Sequence, residues 1–209
     1  MKIILASSSV WRKQVMESLG LAFEVIESGL DEEPVKKSAK NPRELVLKLA
    51  WLKAEKVRRL IRNKNKPYLI IAADSVAYLK SGQNWRLFDK PKNRQQAKLM
   101  LTTLRGKKHH FITGLVAVDH QGRSLSDVCL SRVVLRNFSS EVLAKFLVSN
   151  GWQGKAGGYD VIHQQLVISY SGSYSNICGL PKEKLIPMLK KFGINVERKK
   201  GEMEVKKSK

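Results

Sequence analysis

Tyr68-Leu69-Ile70-Ile71-Ala72-Ala73-Asp74 (YLIIAAD) is the stretch on which the reading of the fold turns. It is apolar without a break until its last residue, and it follows Pro67, where the chain restarts. A continuous apolar run of this length fits a strand covered on both faces, as in the interior of an α/β sheet. Asp74 then terminates the run Leu69–Ala73. In open α/β sheets the functional crevice lies beyond the carboxyl ends of the strands, so an Asp there is placed for a metal or for catalysis. The plainer alternative is an Asp that starts a turn, although SVAYLK follows without a turn signal.

Working outward, alternating elements emerge. Met1–Ala6 reads as a buried strand, and Ser9 as the N-cap of a helix through Leu19, stopped by Gly20. Leu21–Ile26 reads as a strand and Leu30–Lys40 as a loop. Asn41-Pro42 has the form of a helix start. That helix is expected to run to about Arg62, with Leu45, Leu49, Leu52, Lys56 and Leu60 on its inner face. A hairpin-like turn is expected at 81–84, a helix at 93–104, and strands at 111–118 and 126–138. Ser139 should cap a helix through Ser149. A glycine-rich segment, 151–159, precedes a strand at 166–170. Pro181 opens the last helix and Gly193 closes it, with Pro187 expected to kink or shorten it. The fold class is α/β with a mixed sheet and flanking helices. Residues 1–195 read as one domain, and 196–209 as a basic, disordered tail.

The 209 residues are 43% hydrophobic, an ordinary globular balance. No stretch approaches the eighteen or so apolar residues of a membrane helix, so no membrane partner is expected. The apolar run at the N-terminus is too short for a signal peptide, and the cytoplasm is the expected location. Cys129 and Cys178 form no C-x-x-C pair, which argues against a zinc or redox site. With 39 Lys and Arg against 18 acidic residues, the net charge of +21 favours polyanionic partners: nucleic acid, nucleotides or an anionic membrane surface.

Candidate chemistry gathers at a few places. Ser7-Ser8-Ser9 lie at a strand–helix junction, where free N–H groups and hydroxyls can receive an anion, and Arg12 is one turn further on. The P-loop pattern is absent. Asp31-Glu32-Glu33 could supply a carboxylate to Mg²⁺. Lys53 and Lys90 cannot be singled out by position. His109 and His110 have no spacing that supports a catalytic or metal role.

Taken together the blocks resemble the Maf family of nucleoside triphosphate pyrophosphatases, relatives of the inosine triphosphatase fold. LASSSVWRK is similar to the opening L-A-S-x-S-P-x-R block, and LDEEP to V-D-E. The helix with Lys53, then AADSV and FDKP, follow in the family's order, as do GKKHHFITGL, GWQGKAGGY and GSYSNICGLP. The resemblance implies a strongly twisted mixed sheet and two lobes around a nucleotide cleft. It implies that Ser7, Ser9, Arg12, Lys53 and Lys90 bind the triphosphate and that Asp74 is the catalytic carboxylate. Glu32 and Asp74 would hold a divalent metal ion, Mg²⁺ or Mn²⁺. Trp11 and Ser75 occupy positions tied to nucleotide choice. The implied reaction splits a nucleoside triphosphate, such as 7-methyl-GTP, dTTP or UTP, into monophosphate and pyrophosphate, and the implied assembly is a homodimer.

Three positions and one segment depart from the family pattern. Val10 replaces a proline, Asp89 the glycine before Lys90, and Gly151 a glutamate. After AGGY, Asp160-Val161-Ile162-His163 replaces G-I-Q-G, leaving Gln164 or Gln165 as stand-ins for the family glutamine after a shift. Trp11 points to 7-methyl-GTP, since a cationic base stacks well on indole. KAGGY and Ser75 point to the dTTP and UTP branch. The alternative reading is a nucleic-acid-binding protein on the same scaffold with weak or no turnover.

Overall fold

The computed structural model describes residues 1–61 and 66–196. The elements are β1 (Lys2–Leu5), α1 (Val10–Ser18), β2 (Phe23–Val25), α2 (Glu33–Ser38), α3 (Pro42–Ile61), β3 (Tyr68–Ser81) and β4 (Asn84–Phe88). After them come α4 (Arg94–Leu104), β5 (Lys108–Asp119), β6 (Ser124–Leu135), α5 (Ser140–Val148), β7 (Val167–Ser171), α6 (Tyr174–Ile177) and α7 (Lys182–Lys191). Seven strands form one mixed sheet in the order β2-β1-β3-β5-β6-β7, with β4 also on β3. β1 runs parallel to β2 and β3, and every other pair is antiparallel.

β3 is the spine, and YLIIAAD is its first half. Leu69, Ile71 and Ala73 point into a core built with α1 and α7, while Ile70 and Ala72 point to α3. Burial on both faces explains the unbroken apolar run. The strand does not end at Asp74, as the sequence suggested, but continues to Ser81. What ends there is its neighbour. β1 pairs with Tyr68–Ile71, β4 pairs with Ala77–Ser81, and among the described residues no strand takes 72–76 on that edge. This gap in the sheet puts Asp74 and Ser75 at the floor of a cleft.

The α3 stripe is also displaced from the sequence reading. Leu45 and Leu49 are buried, but Leu52 and Leu60 are exposed. The inner face carries Val46, Ala50, Lys53, Ala54, Val57 and Ile61 instead. Small residues let the helix lie close to the sheet. Closest is Gly114, which stands opposite Asp74 on β5, where an added Cβ would sit 2.5 Å from the backbone carbonyl of Val46. Further corrections concern α2, which replaces part of the expected loop, and α7, which runs on through Pro187. Asn93 and Ser139 cap α4 and α5 with their side chains. The tail from 197 onward and the expected helix end at Arg62 lie outside the described residues.

Candidate active site

Three buried ionic side chains meet in the cleft: Arg12 at 6% exposure, Lys53 at 9% and Asp74 at 8%. Lys53 and Asp74 are buried as a pair, whereas Arg12 is buried among neutral acceptors. Lys53, delivered by the inner face of α3, donates to Asp74 Oδ1 at 2.5 Å and lies 2.7 Å from Glu32 Oε1. Two carboxylates therefore converge on one ammonium. Lys36 of α2 holds the other oxygen of Glu32 at 3.1 Å and is also paired with Asp89. The carboxylate that replaces the family glycine before Lys90 is thus neutralised by Lys36, a residue that the sequence reading missed. Its signal was the i,i+4 spacing from Glu32.

Arg12 is fixed at all three of its donor atoms. Nε donates to Gly179 O at 2.8 Å, Nη1 to Ser7 Oγ at 3.1 Å and Nη2 to Ser75 Oγ at 3.2 Å. Gly179 adopts φ +90°, and an added Cβ would crowd Arg12 Nε at 3.2 Å, so both conformation and space call for glycine. Behind Ser75, Thr113 Oγ1 lies at 2.8 Å and donates in turn to Asn176 O at 3.2 Å. Thr113 and Asn176 belong to the ITG and SYSNI stretches, and this chain of hydrogen bonds is how those stretches reach the cleft.

Burial and charge shift the titrating groups in opposite directions. Burial pushes the Asp74 carboxyl up, and the positive charges of Lys53 and Arg12 offset only part of that rise. For Glu32 burial also acts upward, but the charges and hydrogen bonds of Lys53 and Lys36 win and hold it at about 2. Lys90 retains solvent exposure. Even so, desolvation at the cleft rim, with Arg12 and Lys53 nearby, lowers its pKa. Among the described residues no carboxylate pairs with its ammonium, although Lys90 borders each part of the cleft.

Besides the part bordered by Asp74, Lys36 and Asp89, the cleft has two compartments that meet at Arg12. The polar one is lined by Ser7, Ser8, Ser9, Arg12, Glu32, Lys53 and Lys90. The other, about 570 Å³ counted to its open mouth, is walled by Trp11, Lys155, Tyr159, Asp160, Val161 and Tyr174. Ser9, Arg12 and Lys90 join the two. Lys155 pairs with Asp160 and holds its ammonium 5.4 Å from the centre of the Trp11 ring. Tyr159 is anchored from behind by His109, with Nε2 and the phenol oxygen 2.5 Å apart. Burial takes His109 down to about 4, so the ring is neutral at pH 7. Ile162 is 58% exposed, and neither Gln164 nor Gln165 lines the cleft. All nine residues singled out in the sequence therefore gather here, while the substitute glutamines do not.

A family model described as Maf-like protein matches residues 2–192. The chain belongs to the Maf-like protein family. Among its relatives is the dTTP/UTP pyrophosphatase of Acetivibrio thermocellus, 32% identical over 95% of this chain and 98% of its own length. Those of Pelotomaculum thermopropionicum and Alkaliphilus metalliredigens are 33% and 34% identical, each over 93% of this chain and 98% of its own. A solved nucleoside-triphosphatase / dITP/XTP pyrophosphatase from Mycobacterium abscessus matches with a TM-score of 0.43 and 16% identity, over 91% of this chain and 94% of that one.

Proposed function

We propose that the protein hydrolyses a pyrimidine nucleoside triphosphate, dTTP or UTP, to the monophosphate and pyrophosphate. The observation that carries this reading is the convergence of Arg12, Lys53 and Lys90 around a buried Asp74 in one cleft. A triphosphate brings about four negative charges, and prearranged cations stabilise both it and the charge that develops as pyrophosphate leaves. Ser7, Ser9, Arg12 and Lys90 receive the phosphates in the polar compartment, and the base enters beside Trp11. Asp74, its basicity raised by burial, takes a proton from the water that attacks the α-phosphorus. The bond from that phosphorus to the bridging oxygen breaks, and pyrophosphate departs with the electron pair.

The donor set suits a divalent ion. Asp74 and Glu32 already share one cation, the Lys53 ammonium, and Mg²⁺ asks a protein for one or two carboxylates when phosphates supply the rest. Held by these two side chains, Mg²⁺ or Mn²⁺ would neutralise phosphate charge and polarise water.

Two observations favour pyrimidines over 7-methyl-GTP. The relatives above are dTTP/UTP pyrophosphatases at 32–34% identity. Lys155 also sets a positive charge against the Trp11 ring, where a methylated, cationic guanine would have to stack. A homodimer in the cytoplasm is the assembly and location that accompany this reading.

The test is a panel of dTTP, UTP, 7-methyl-GTP, ATP and GTP with Mg²⁺ or Mn²⁺, assayed for pyrophosphate. Release should be fastest from dTTP or UTP. Faster release from 7-methyl-GTP would overturn the choice of base. Lack of release from every nucleotide would overturn the activity and favour a binding protein.

A further inference from the structure

The sheet has a second accessible face, away from the cleft. Past the N-terminal end of α3, strands β3, β4, β5 and β6 have one face covered and one face open. The covered face packs on the core of α4 and α5 through Ala77, Phe111 and Val133. Register fixes what the open face presents. One row across it reads Leu87, Tyr78, His110, Arg132 and Ser171. The next row outward holds Trp85 opposite Lys80, and Lys108 opposite Val134. The row inward is where the face closes: Val76 and Ile112 are buried with Val46 of α3, and only Leu130, at 45% exposure, stays open.

This face is basic and aromatic. Lys80, Lys108 and Arg132 are exposed, and Tyr78, Trp85 and His110 are half-buried between them. Tyr78 and His110 are stacked at 4.9 Å with 17° between their planes. None of the residues in these rows is acidic. Asp127 of β6 points to the other face, where Lys184 of α7 takes it at 2.9 Å. The charges felt by His110 confirm the sign: beyond burial, Arg132, Lys108 and Lys80 all lower its pKa, and no carboxylate raises it. A shallow hollow beside the face, lined by Tyr78, Lys80, Gln83 and Trp85, is bordered by Lys40 and Arg43 at the start of α3.

We propose that this open sheet face binds single-stranded nucleic acid, with Lys80, Lys108 and Arg132 on phosphates and Trp85 beneath a base. Charge complementarity selects the partner. Neighbouring strands lie about 4.8 Å apart, so these cations form a track that a flexible polyanion can follow. Recessed rings between cations give bases a surface to stack on, which is the combination that sequence-tolerant single-strand binders use. An anionic bilayer would match the charge but not the recessed rings, because membrane-seeking side chains protrude. The face lies outside the triphosphate cleft, so binding here is compatible with turnover there.

The test is fluorescence anisotropy of the full chain with labelled single strands of deoxythymidine and of uridine, each of twenty nucleotides. Binding should fall with salt, and the triple variant K80E/K108E/R132E should bind at least tenfold more weakly. Three lost phosphate contacts should also make the log–log salt slope shallower by about 2. Trp85→Ala should weaken binding several-fold while leaving the slope unchanged. Thermal melting and pyrophosphate release by the variants check that folding and the cleft survive. Where charge reversal disturbs folding, K80Q/K108Q/R132Q replaces it. Equal binding by the triple variant would place the polyanion elsewhere on this +21 chain and overturn the proposal. So would absence of binding at low salt, equal affinity for duplex DNA, or stronger binding to phosphatidylserine vesicles. Dissociation of a dimer by the same substitutions, without effect on oligonucleotide binding, would assign the face to a second copy of the chain.

Discussion

The two walls of the cleft are built on different plans. The wall proposed to take the phosphates is tied together across the chain: Arg12 is held from Ser7, Ser75 and Gly179, and Lys53 from Asp74 and Glu32. Each side chain is fixed by elements distant in sequence, so the wall is set as soon as the sheet forms. The wall proposed to take the base is local. Lys155 and Asp160 are five residues apart in one loop, and Trp11 enters their company from the first turn of α1. The first wall keeps the family's Ser7, Ser9, Arg12, Lys53, Asp74 and Lys90, with departures only at the neighbouring Val10 and Asp89, while the second keeps KAGGY and then loses the pattern after it. Shared chemistry demands a fixed frame, whereas nucleotide choice can be rewritten within a few residues.

Substitutions in the two walls should therefore differ in kind. Asp74→Asn removes the proposed proton acceptor and should lower kcat by about a thousandfold with little change in fold, measured by pyrophosphate release and circular dichroism. Turnover within tenfold of wild type would break the assignment. Lys53→Ala leaves Asp74 and Glu32 as facing carboxylates without their shared cation and should cost about a hundredfold in kcat/KM. It should also lower the melting temperature, since one partner of a buried pair is stranded. Lys155→Ala acts on the other wall. Freed of the charge at Trp11, the enzyme should shift its preference toward 7-methyl-GTP by about tenfold with kcat on dTTP nearly unchanged. A large fall in kcat would show that the walls are not separable.

The smallest expected effect is on stability in acid. Lys53 and Lys36 hold the Glu32 carboxyl at about 2 in the folded state, below the ordinary glutamate value of 4.5. Its pairing therefore stabilises the fold fully above about pH 4.5, and this contribution is lost as pH falls through 2. Denaturant midpoints between pH 5 and pH 3 should drop less for Glu32→Gln than for wild type.

The limits of the sequence reading are physical. YLIIAAD identified a doubly covered strand because burial on both faces leaves a local mark. It misplaced the strand's end because what stops at Asp74 is β1, and a neighbour's length is not written into the strand it pairs with. On α3 the large leucines drew the eye to Leu52 and Leu60, both exposed, while the helix presses its alanines and valines to the sheet. That slip hid Lys53 among surface lysines until the motif comparison singled it out. Lys36 and the Lys155–Asp160 pair stayed hidden because their meaning depends on a partner brought from elsewhere: Asp89 for the first and Trp11 for the second.

Gly114 has a bearing on how this protein can change. It stands beside Asp74 in the sheet and carries no side chain, and the backbone of α3 rests on it at Val46. Lys53 is two turns further along that same helix. The bare α-carbon is therefore a shim that sets the reach of Lys53 to Asp74. A single methyl group there would lift the helix as a wedge lifts a lever, and Lys53 and Asp74 would part without any residue of the cleft being touched. The geometry of the site is in this sense machined from outside, and its tolerance is less than the thickness of one carbon atom.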